Sequence, residues 1–458
     1  MKDIKRDAYS DLLDWKENDN DFILLVEGAR QVGKTYLVTK FAKENFKNII
    51  YIKLTDNTGH KFINLLNSYN DIDDEKEFLL KALMHYNSNF EDNSNTVVII
   101  DEIQESADVY NKIRSFNRLF NCRFIITGSY LGRVTMAKEF WHSAGDMTRI
   151  IINTLSFKEF LGAIDADLLK LFCSIDLYGT SPSQDYEKLK KYFEYYCIIG
   201  GFPKVVTRFL ENKNYKDCFK IYEELIKIFA EESAAYLENK EYAELIINAF
   251  NYFGVILLKE KKGLTNNNLG EEMINVKNRL SFVLGSVNLN KKQYSDLQNW
   301  LLANHSLLPC YKAINCDLAT ALKIERFYFM DLGIFNYIFI KNGIKNDNIT
   351  GKLYENYVAL VLKSKGLKLV FSTFGNYEID FIVMANDLLY GIEVKAGNDS
   401  GTSVTSAYQK GLIDKILYLK GNSYGGITKD CITIPIYLFE RFELELIPSN
   451  ILKNLDIF

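Results

Sequence analysis

The first third of the chain alternates short apolar runs with amphipathic segments. Residues 23–27 (ILLVE), 95–104 (NTVVIIDEIQ) and 122–130 (CRFIITGSY) are apolar runs of strand length. The β-branched stretch VVII in the second run is typical of a parallel strand that is buried on both faces. Residues 36–46 and 107–120 place apolar side chains at helical spacing. Repeated strand–helix units of this kind predict an α/β fold, a doubly wound parallel sheet.

The first apolar run leads directly into GARQVGKT, which fits the GxxxxGK[ST] pattern at a strand–turn–helix junction. Glycines allow the backbone N–H groups to approach phosphate oxygens, and the helix N-terminus adds partial positive charge. Lys34 would reach the β- and γ-phosphates, and Thr35 would offer its hydroxyl to Mg²⁺. We therefore predict ATP and Mg²⁺ as cofactors. The predicted nucleotide-binding residues in this stretch are Gly28, Ala29, Arg30, Gln31, Val32, Gly33, Lys34, Thr35 and Tyr36.

Polar side chains follow the second and third apolar runs. Asp101 and Glu102 stand at the carboxyl end of a predicted core strand, where α/β sheets bind their ligands. Asp101 would hold Mg²⁺ and Glu102 would polarise the attacking water; the alternative is a solvated acidic turn. Thr127 or Ser129, at the tip of the third run, would sense the γ-phosphate, unless these hydroxyls only cap the turn.

The segments that follow residue 164 have a different pattern. Residues 165–240 are rich in helical periodicity, and in YCIIGGFPKVV a glycine pair ends one helix while Pro203 suits the first turn of the next. Residues 241–325 read as three helices and a wing. Lys291, Lys292 and the loop at 259–263 (KEKKG) would present positive charge to DNA. Acidic residues dilute that charge, so a protein spacer is the alternative.

The last third carries charged residues inside strand-like runs. Asp380 lies between Ile379 and Phe381, and Glu393 and Lys395 flank Val394. Alternation along a strand places Glu393 and Lys395 on one face. Asp380, Glu393 and Glu355, the last on a preceding helix, are oxygen ligands that would suit Mg²⁺, with Lys395 orienting the attacking water. The alternative is an ion pair without metal.

Composition narrows the class of protein. The net charge is −4, so there is no overall basic character to indicate a nucleic-acid partner. The seven cysteines are scattered without a CxxC pair, which favours free thiols in a reducing compartment. The N-terminus lacks a signal-peptide pattern, and no apolar run approaches the length of a membrane span. These features predict a cytoplasmic protein without a membrane partner.

The motifs GARQVGKT, IIDEIQ, ITGSYLGRV and LSFKEFL, in this order, resemble a bacterial and archaeal family of AAA-type P-loop ATPases. The resemblance covers essentially the whole chain. It implies an extra strand between the phosphate loop and the Mg²⁺-binding acid, followed by winged-helix and PD-(D/E)xK nuclease-like domains. RFYFMDLGIFNYI, residues 326–338, matches a family motif that leads into the last domain. The implied domains are an AAA-type ATPase core at 1–163, a helical lid at 164–240, a winged-helix-like segment at 241–325 and a restriction-endonuclease-like α/β domain at 326–458.

The resemblance also assigns roles to single residues. Gly201 and Pro203 would contact the base or ribose from the lid, whereas a simple helix–helix corner is the alternative. The acid–acid–lysine set of the nuclease-like domain is intact, with Ile379 where the full motif has proline. Candidate arginines that would complete the site of a neighbouring subunit in a homo-oligomer, or serve only packing, are Arg114, Arg118, Arg133 and Arg149, the last placed before the final core strand.

Together these features predict an enzyme that hydrolyses ATP with Mg²⁺ and thereby controls a C-terminal nuclease-like domain that acts on DNA. The alternative is an ATP-regulated switch that binds DNA or another protein through a catalytically silent nuclease fold.

Overall fold

The computed structural model divides the chain into two compact units. The N-terminal unit comprises Asp3–Asn153 with Asn299–Ser306, and the C-terminal unit comprises Thr154–Gln298 and Leu307–Phe458 together with Met1–Lys2. The residues that the structure describes are 3–18, 23–68, 75–129, 147–179, 181–236, 246–247, 300, 302, 304–341, 343 and 349–444. Arg133, the loop at 259–263, Lys291 and Lys292 lie outside these ranges, and so does most of the predicted winged-helix segment.

A parallel sheet of five strands forms the centre of the N-terminal unit. The strands are β1 (Ile23–Glu27), β2 (Asn48–Lys53), β3 (Thr96–Asp101), β4 (Arg123–Thr127) and β5 (Met147–Ile151). Their order is β2-β3-β4-β1-β5, and every pair is parallel. Strand β4 therefore separates β1, which leads into the glycine-rich loop, from β3, which ends in the acidic pair. The predicted parallel α/β sheet with an inserted strand is confirmed.

Helices cover this sheet because its strands are apolar on both faces; all residues of β1 and β3 are buried. The helices are α1 (Ala8–Asn18), α2 (Lys34–Asn45), α3 (Asn57–Asn67), α4 (Glu75–Tyr86) and α5 (Ala107–Leu119). Side chains of α3, α4 and α5 join those of β2, β3 and β4 in one apolar cluster. Ser106 begins α5 by accepting a hydrogen bond at its side chain from the backbone N–H of Val109, as helix N-caps do.

The C-terminal unit begins with a helical segment. Its helices are α6 (Phe157–Ile164), α7 (Ala166–Ser174), α8 (Gln184–Ile199), α9 (Pro203–Asn212) and α10 (Tyr215–Tyr236). A capping box between Ser156 and Glu159 begins α6, and the Glu440 carboxylate accepts from the backbone N–H groups of Phe157 and Lys158 at 2.8 and 2.9 Å. The first N–H groups of a helix have no partner within it, so the Glu440 carboxylate satisfies these two. It thereby links the start of α6 to the segment around residue 440.

Two sheets complete the C-terminal unit, with helices α11 (Leu332–Lys341), α12 (Thr350–Ser364) and α13 (Thr402–Gln409). The first sheet has the order β7-β6-β8-β9 and the second β10-β11-β12-β14-β13. The strands are β6 (Leu307–Ile314), β7 (Lys323–Phe329), β8 (Leu369–Phe374), β9 (Tyr377–Ile379), β10 (Phe381–Ala385), β11 (Leu388–Lys395), β12 (Lys415–Lys420), β13 (Gly426–Ile427) and β14 (Cys431–Pro435). Strand β6, which precedes the predicted boundary at 326, pairs in parallel with β8. The domain boundaries stay predictions.

Two chain positions determine where strands of the C-terminal unit end. Asp380 separates β9 in the first sheet from β10 in the second. The last strand, β14, ends at Pro435, and a 3₁₀ helix, Ile436–Arg441, follows. Proline has no N–H to donate to a sheet, so strand pairing stops there although the following residues are apolar and buried. None of the helices in the described ranges has the length and apolarity needed to cross a membrane.

Candidate nucleotide site

The glycine-rich loop of the N-terminal unit has a backbone that only certain residues can adopt. Gly28 has φ of 140°, and a Cβ there would lie 2.1 Å from the carbonyl oxygen of Ile152. Gln31 and Gly33 also have positive φ, 62° and 97°, and Gly33 is the N-cap of α2. The loop therefore ends at a helix N-terminus whose first N–H groups have no partners within the helix. This geometry is that of an anion-binding loop.

Lys34 lies folded over this loop. Its Nζ donates hydrogen bonds to the carbonyl oxygens of Gly28 and Ala29, both at 2.8 Å. Glu27 is buried nearby, at the end of β1, and forms an ion pair with Arg149. The distance from Arg149 Nε to Glu27 Oε2 is 3.0 Å. Burial raises the pKa of Glu27, and the charges of Arg149 and Lys34 oppose that rise. The lysine ammonium thus lies at the glycine-rich loop and is bonded to two of its carbonyl oxygens.

The buried carboxylate of Asp101 accepts hydrogen bonds from hydroxyl groups on several elements. Its Oδ2 accepts from Thr35 Oγ1 at 3.0 Å and from the Tyr51 hydroxyl at 2.5 Å. Its Oδ1 accepts from the Thr127 hydroxyl and from the backbone N–H of Glu102 at 3.1 Å. A hydroxyl and a carboxylate oxygen that converge in this way are the hard ligands that Mg²⁺ prefers. Thr35 and Asp101 therefore fit the predicted metal site.

Glu102 adopts a left-handed backbone conformation, with φ of 61°. This conformation costs a non-glycine residue of order 1–3 kcal/mol and is concentrated at functional sites. It turns the chain sharply after β3, so that the side chain leaves the buried strand and is half-buried. Glu102 Oε2 accepts from Gln104 Nε2 at 2.5 Å, which orients the carboxylate. The sequence contained no signal for this partner.

Other predicted site residues lie in different surroundings. Ser129 is buried just after β4, whereas Tyr36 is exposed and donates from its hydroxyl to Asp3 Oδ1 at 2.9 Å. Arg149 lies inside β5 rather than before it, and its guanidinium pairs with Glu27 of the same chain. That position differs from the prediction because the strand begins at Met147, three residues earlier than the apolar run suggested. Arg118 is exposed on α5, and the side chain of Arg114 is not among those described.

The sequence alone does not reveal a role for Arg6. This residue precedes α1, and its guanidinium donates to the carbonyl oxygens of Val32 at 2.9 Å and Asn153 at 2.6 Å. It therefore ties the glycine-rich loop to the chain that follows β5. No local pattern around residue 6 could have revealed this contact, because its partners are 26 and 147 residues away.

The glycine pair before Pro203 is explained by contacts within the C-terminal unit. The backbone N–H of Gly201 donates to Asp331 Oδ2 at 2.7 Å, and its carbonyl accepts from the N–H of Leu155 at 2.7 Å. A Cβ on Gly201 would lie 2.2 Å from the Leu155 carbonyl oxygen. These contacts account for the glycine as a tight corner, with Pro203 at the first turn of α9. Contact of Gly201 and Pro203 with a nucleotide stays a prediction.

Asp331 is the centre of this corner. Its Oδ1 accepts from the Tyr222 hydroxyl and from the backbone N–H of Ile334, both at 3.0 Å. Complete burial raises the pKa of Asp331, and hydrogen bonds from the N–H groups of Gly201 and Ile334 oppose the rise. One carboxylate thus joins the loop before α9, the helix α10 and the first turn of α11.

Three of the predicted nuclease-like residues converge in the C-terminal unit. Asp380 Oδ2 accepts from the backbone N–H of Val394 at 2.8 Å, so Asp380 lies against β11. Lys395 Nζ lies 2.7 Å from Glu393 Oε1, which is the ion pair that the sequence left open as an alternative. Gly401 packs on the Glu393 carboxyl group, where a Cβ would come within 2.7 Å of Cδ.

Glu355 is held by a different set of partners. Its Oε1 accepts from the Tyr328 hydroxyl at 2.6 Å and its Oε2 pairs with Lys352 Nζ at 3.1 Å. The guanidinium of Arg326 lies 4.0 Å away and pairs with Glu378 at 2.6 Å. Within the described residues, no group of three or more acidic, histidine or cysteine side chains is arranged to hold a metal ion. Metal binding by Glu355, Asp380 and Glu393 stays a prediction.

Comparisons with known proteins agree with the N-terminal geometry. Residues 20–161 match a family model described as an AAA domain. No curated protein sequence matches the chain. Among solved structures, the chain is similar to the Walker-type ATPase PABY2304 of Pyrococcus abyssi, at 14% identity over 73% of this chain and 96% of that chain, with a TM-score of 0.41.

Two further similar structures are the RuvB Holliday junction branch migration motor of Thermotoga maritima and Cdc6p from Pyrobaculum aerophilum. The first has 13% identity over 75% of this chain and 96% of that chain, with a TM-score of 0.29. The second has 12% identity over 65% and 84%, with a TM-score of 0.24. The family match shows an AAA domain at residues 20–161, and the strand order agrees with the parallel P-loop fold expected for it. The winged-helix and nuclease-like assignments stay predictions.

Proposed function

We propose that the AAA domain binds ATP with Mg²⁺ and hydrolyses it to ADP and phosphate. One observation carries this proposal: Thr35 Oγ1 and Asp101 Oδ2 lie 3.0 Å apart at the foot of a glycine-rich loop that carries Lys34. A threonine hydroxyl and a strand-end carboxylate in this relation are what a nucleotide-bound Mg²⁺ needs from a P-loop protein.

Each side chain has a role that follows from its position. Lys34 leaves the carbonyl oxygens of the loop and pairs with the β- and γ-phosphates. Glu102, oriented by Gln104, accepts a proton from the attacking water. The Thr127 hydroxyl is directed at Asp101, so Ser129 is the residue that we assign to the γ-phosphate. Mg²⁺, when bound, would neutralise charge on the phosphate oxygens.

The direct test is release of inorganic phosphate from ATP by the full-length protein. We expect release in the presence of Mg²⁺ and none after chelation with EDTA, because the phosphate charge is then not neutralised. A nucleotide-binding control in the same buffers separates loss of binding from loss of chemistry. Phosphate release that is equal with and without divalent metal would contradict the proposal.

A second candidate function, DNA cleavage by the C-terminal unit, is favoured by the convergence of Asp380, Glu393 and Lys395. Asp380 and Glu393 would hold Mg²⁺, and Lys395 would orient the water and stabilise the developing negative charge. Glu355, the third predicted ligand, would first have to leave Tyr328 and Lys352.

We propose that ATP hydrolysis controls this DNA-acting domain. A homo-oligomer in which a neighbouring subunit supplies an arginine is part of the same proposal.

Plasmid nicking tests this second function. We expect the wild-type protein to relax supercoiled DNA with Mg²⁺ or Mn²⁺, and Asp380→Asn and Lys395→Ala to lose at least about 100-fold in rate, as expected for removal of a catalytic group. Asp387→Asn, at an exposed left-handed turn position that asparagine tolerates, is the matched control and should retain activity. Absence of cleavage with either metal, together with DNA retention in a gel shift, would support a silent binding platform instead.

A further inference from the structure

A tyrosine that lies outside the P-loop pattern donates to the Mg²⁺-binding carboxylate. The Tyr51 hydroxyl lies 2.5 Å from Asp101 Oδ2, which is also the oxygen that accepts from Thr35 at 3.0 Å. On the other oxygen, Oδ1, the carboxylate accepts from Thr127. Asp101 is only 3% exposed, and three side chains from α2, β2 and β4 therefore fix its orientation.

Strand register explains how Tyr51 reaches this position. Strands β2 and β3 are parallel neighbours, with Tyr51 opposite Ile99 and Lys53 opposite Asp101. Residues opposite each other, and residues two apart on one strand, share a face of the sheet. Tyr51 thus lies on the Asp101 face, while Ile50 and Ile52 enter the apolar cluster on the other face. The tyrosine ring spans the two-residue step of roughly 7 Å along the strand.

A role limited to packing does not account for this contact. Tyr51 is 39% exposed, so its ring contributes little to the core. By comparison, Tyr86 of the same domain donates its hydroxyl to the Thr58 carbonyl oxygen at 2.5 Å, away from the acidic pair.

We propose that Tyr51 is a positioning residue of the ATPase site, which holds the Asp101 carboxylate in the orientation that Mg²⁺ requires. This inference rests on the proposed ATPase function. When Thr35 gives its oxygen to the metal, Asp101 Oδ2 loses one of its donors. Tyr51 is then the side chain that keeps this oxygen in place, with Thr127 on the other oxygen.

The experiment compares wild type with Tyr51→Phe in two measurements. Titration with a fluorescent ATP analogue in EDTA and in Mg²⁺ gives the gain in nucleotide affinity that the metal produces. Phosphate release at increasing Mg²⁺ gives the metal concentration for half-maximal turnover. For Tyr51→Phe we expect unchanged affinity in EDTA, an about 10-fold smaller gain with Mg²⁺, and an about 10-fold higher half-maximal Mg²⁺ concentration, as loss of one hydrogen bond to a charged group implies.

Tyr86→Phe is the matched control, because it removes one hydroxyl from the same domain without touching Asp101, and it should behave as wild type in both measurements. Equal Mg²⁺ dependence in wild type and Tyr51→Phe would overturn the inference. An equal loss of affinity in EDTA and in Mg²⁺ would also overturn it, because that result indicates damage to the fold. If wild type itself shows neither Mg²⁺-dependent binding nor turnover, the proposed ATPase function fails, which is a separate outcome.

Discussion

Replacing Lys34 with alanine is expected to lower ATP affinity about 100-fold and to reduce phosphate release below detection. The ammonium would make two charge-assisted hydrogen bonds to phosphate oxygens, each worth about 1.5–3 kcal/mol. Loss of roughly 3 kcal/mol corresponds to a factor of about 100 in affinity. Lys34 donates to the carbonyl oxygens of Gly28 and Ala29 in this structure, and it would exchange these acceptors for phosphate oxygens.

Nucleotide titration and phosphate release measure this effect. Lys43→Ala is the matched control, because Lys43 is an exposed lysine in the last turn of the same helix. The control should bind and hydrolyse ATP as wild type does. Unchanged affinity in Lys34→Ala would mean that the loop does not bind the phosphates.

Replacing Asp331 with alanine is expected to lower the free energy of unfolding of the C-terminal unit by about 3 kcal/mol or more. The backbone N–H groups of Gly201 and Ile334 and the Tyr222 hydroxyl would lose their acceptor in a buried position. Each buried donor that is left without an acceptor costs about 1–3 kcal/mol. Asp331→Asn should have a smaller effect, because its amide oxygen still accepts one or two of these bonds.

Urea denaturation followed by far-UV circular dichroism measures this loss. Asp167→Ala serves as the control, since Asp167 forms only an exposed ion pair with Lys170 in the first turn of α7. A surface pair of this kind contributes about 1 kcal/mol at most. Equal stabilities of Asp331→Ala and Asp167→Ala would show that the corner at Gly201 does not depend on the carboxylate.

The features that the sequence predicted well are local in the chain. The GxxxxGK[ST] loop, the buried strand before Asp101 and the amphipathic helix before β4 each depend on residues within about a dozen positions of one another. The residue types also indicate the backbone conformation. Gly28 and Gly33, for example, have positive φ, which glycine adopts readily. The position of β4 between β1 and β3 came from the family resemblance, and the observed strand order confirms it.

The features that the sequence could not reveal depend on distant partners. Tyr51 and Arg6 belong to no motif, and their contacts with Asp101 and Val32 exist only once strands and helices are assembled. Glu355 is a similar case. Its helix and spacing predict a metal ligand, but they do not reveal its contacts with Tyr328 and Lys352.

The glycine pair at 200–201 illustrates how one sequence signal serves two interpretations. Glycine in a helix corner and glycine near a nucleotide look alike in sequence, because both need close backbone approach. The structure supplies the partner that sequence could not, the Asp331 carboxylate 130 residues away.

We propose that this chain hydrolyses ATP at the site formed by Lys34, Thr35, Asp101 and Glu102. The most direct measurement is phosphate release by wild type and by Glu102→Gln at saturating ATP and Mg²⁺, with nucleotide binding measured in parallel. We expect Glu102→Gln to bind ATP as wild type does and to release phosphate at least about 100-fold more slowly, because it lacks the group that accepts a proton from the attacking water. Equal phosphate release by the two proteins would contradict ATP hydrolysis at this site.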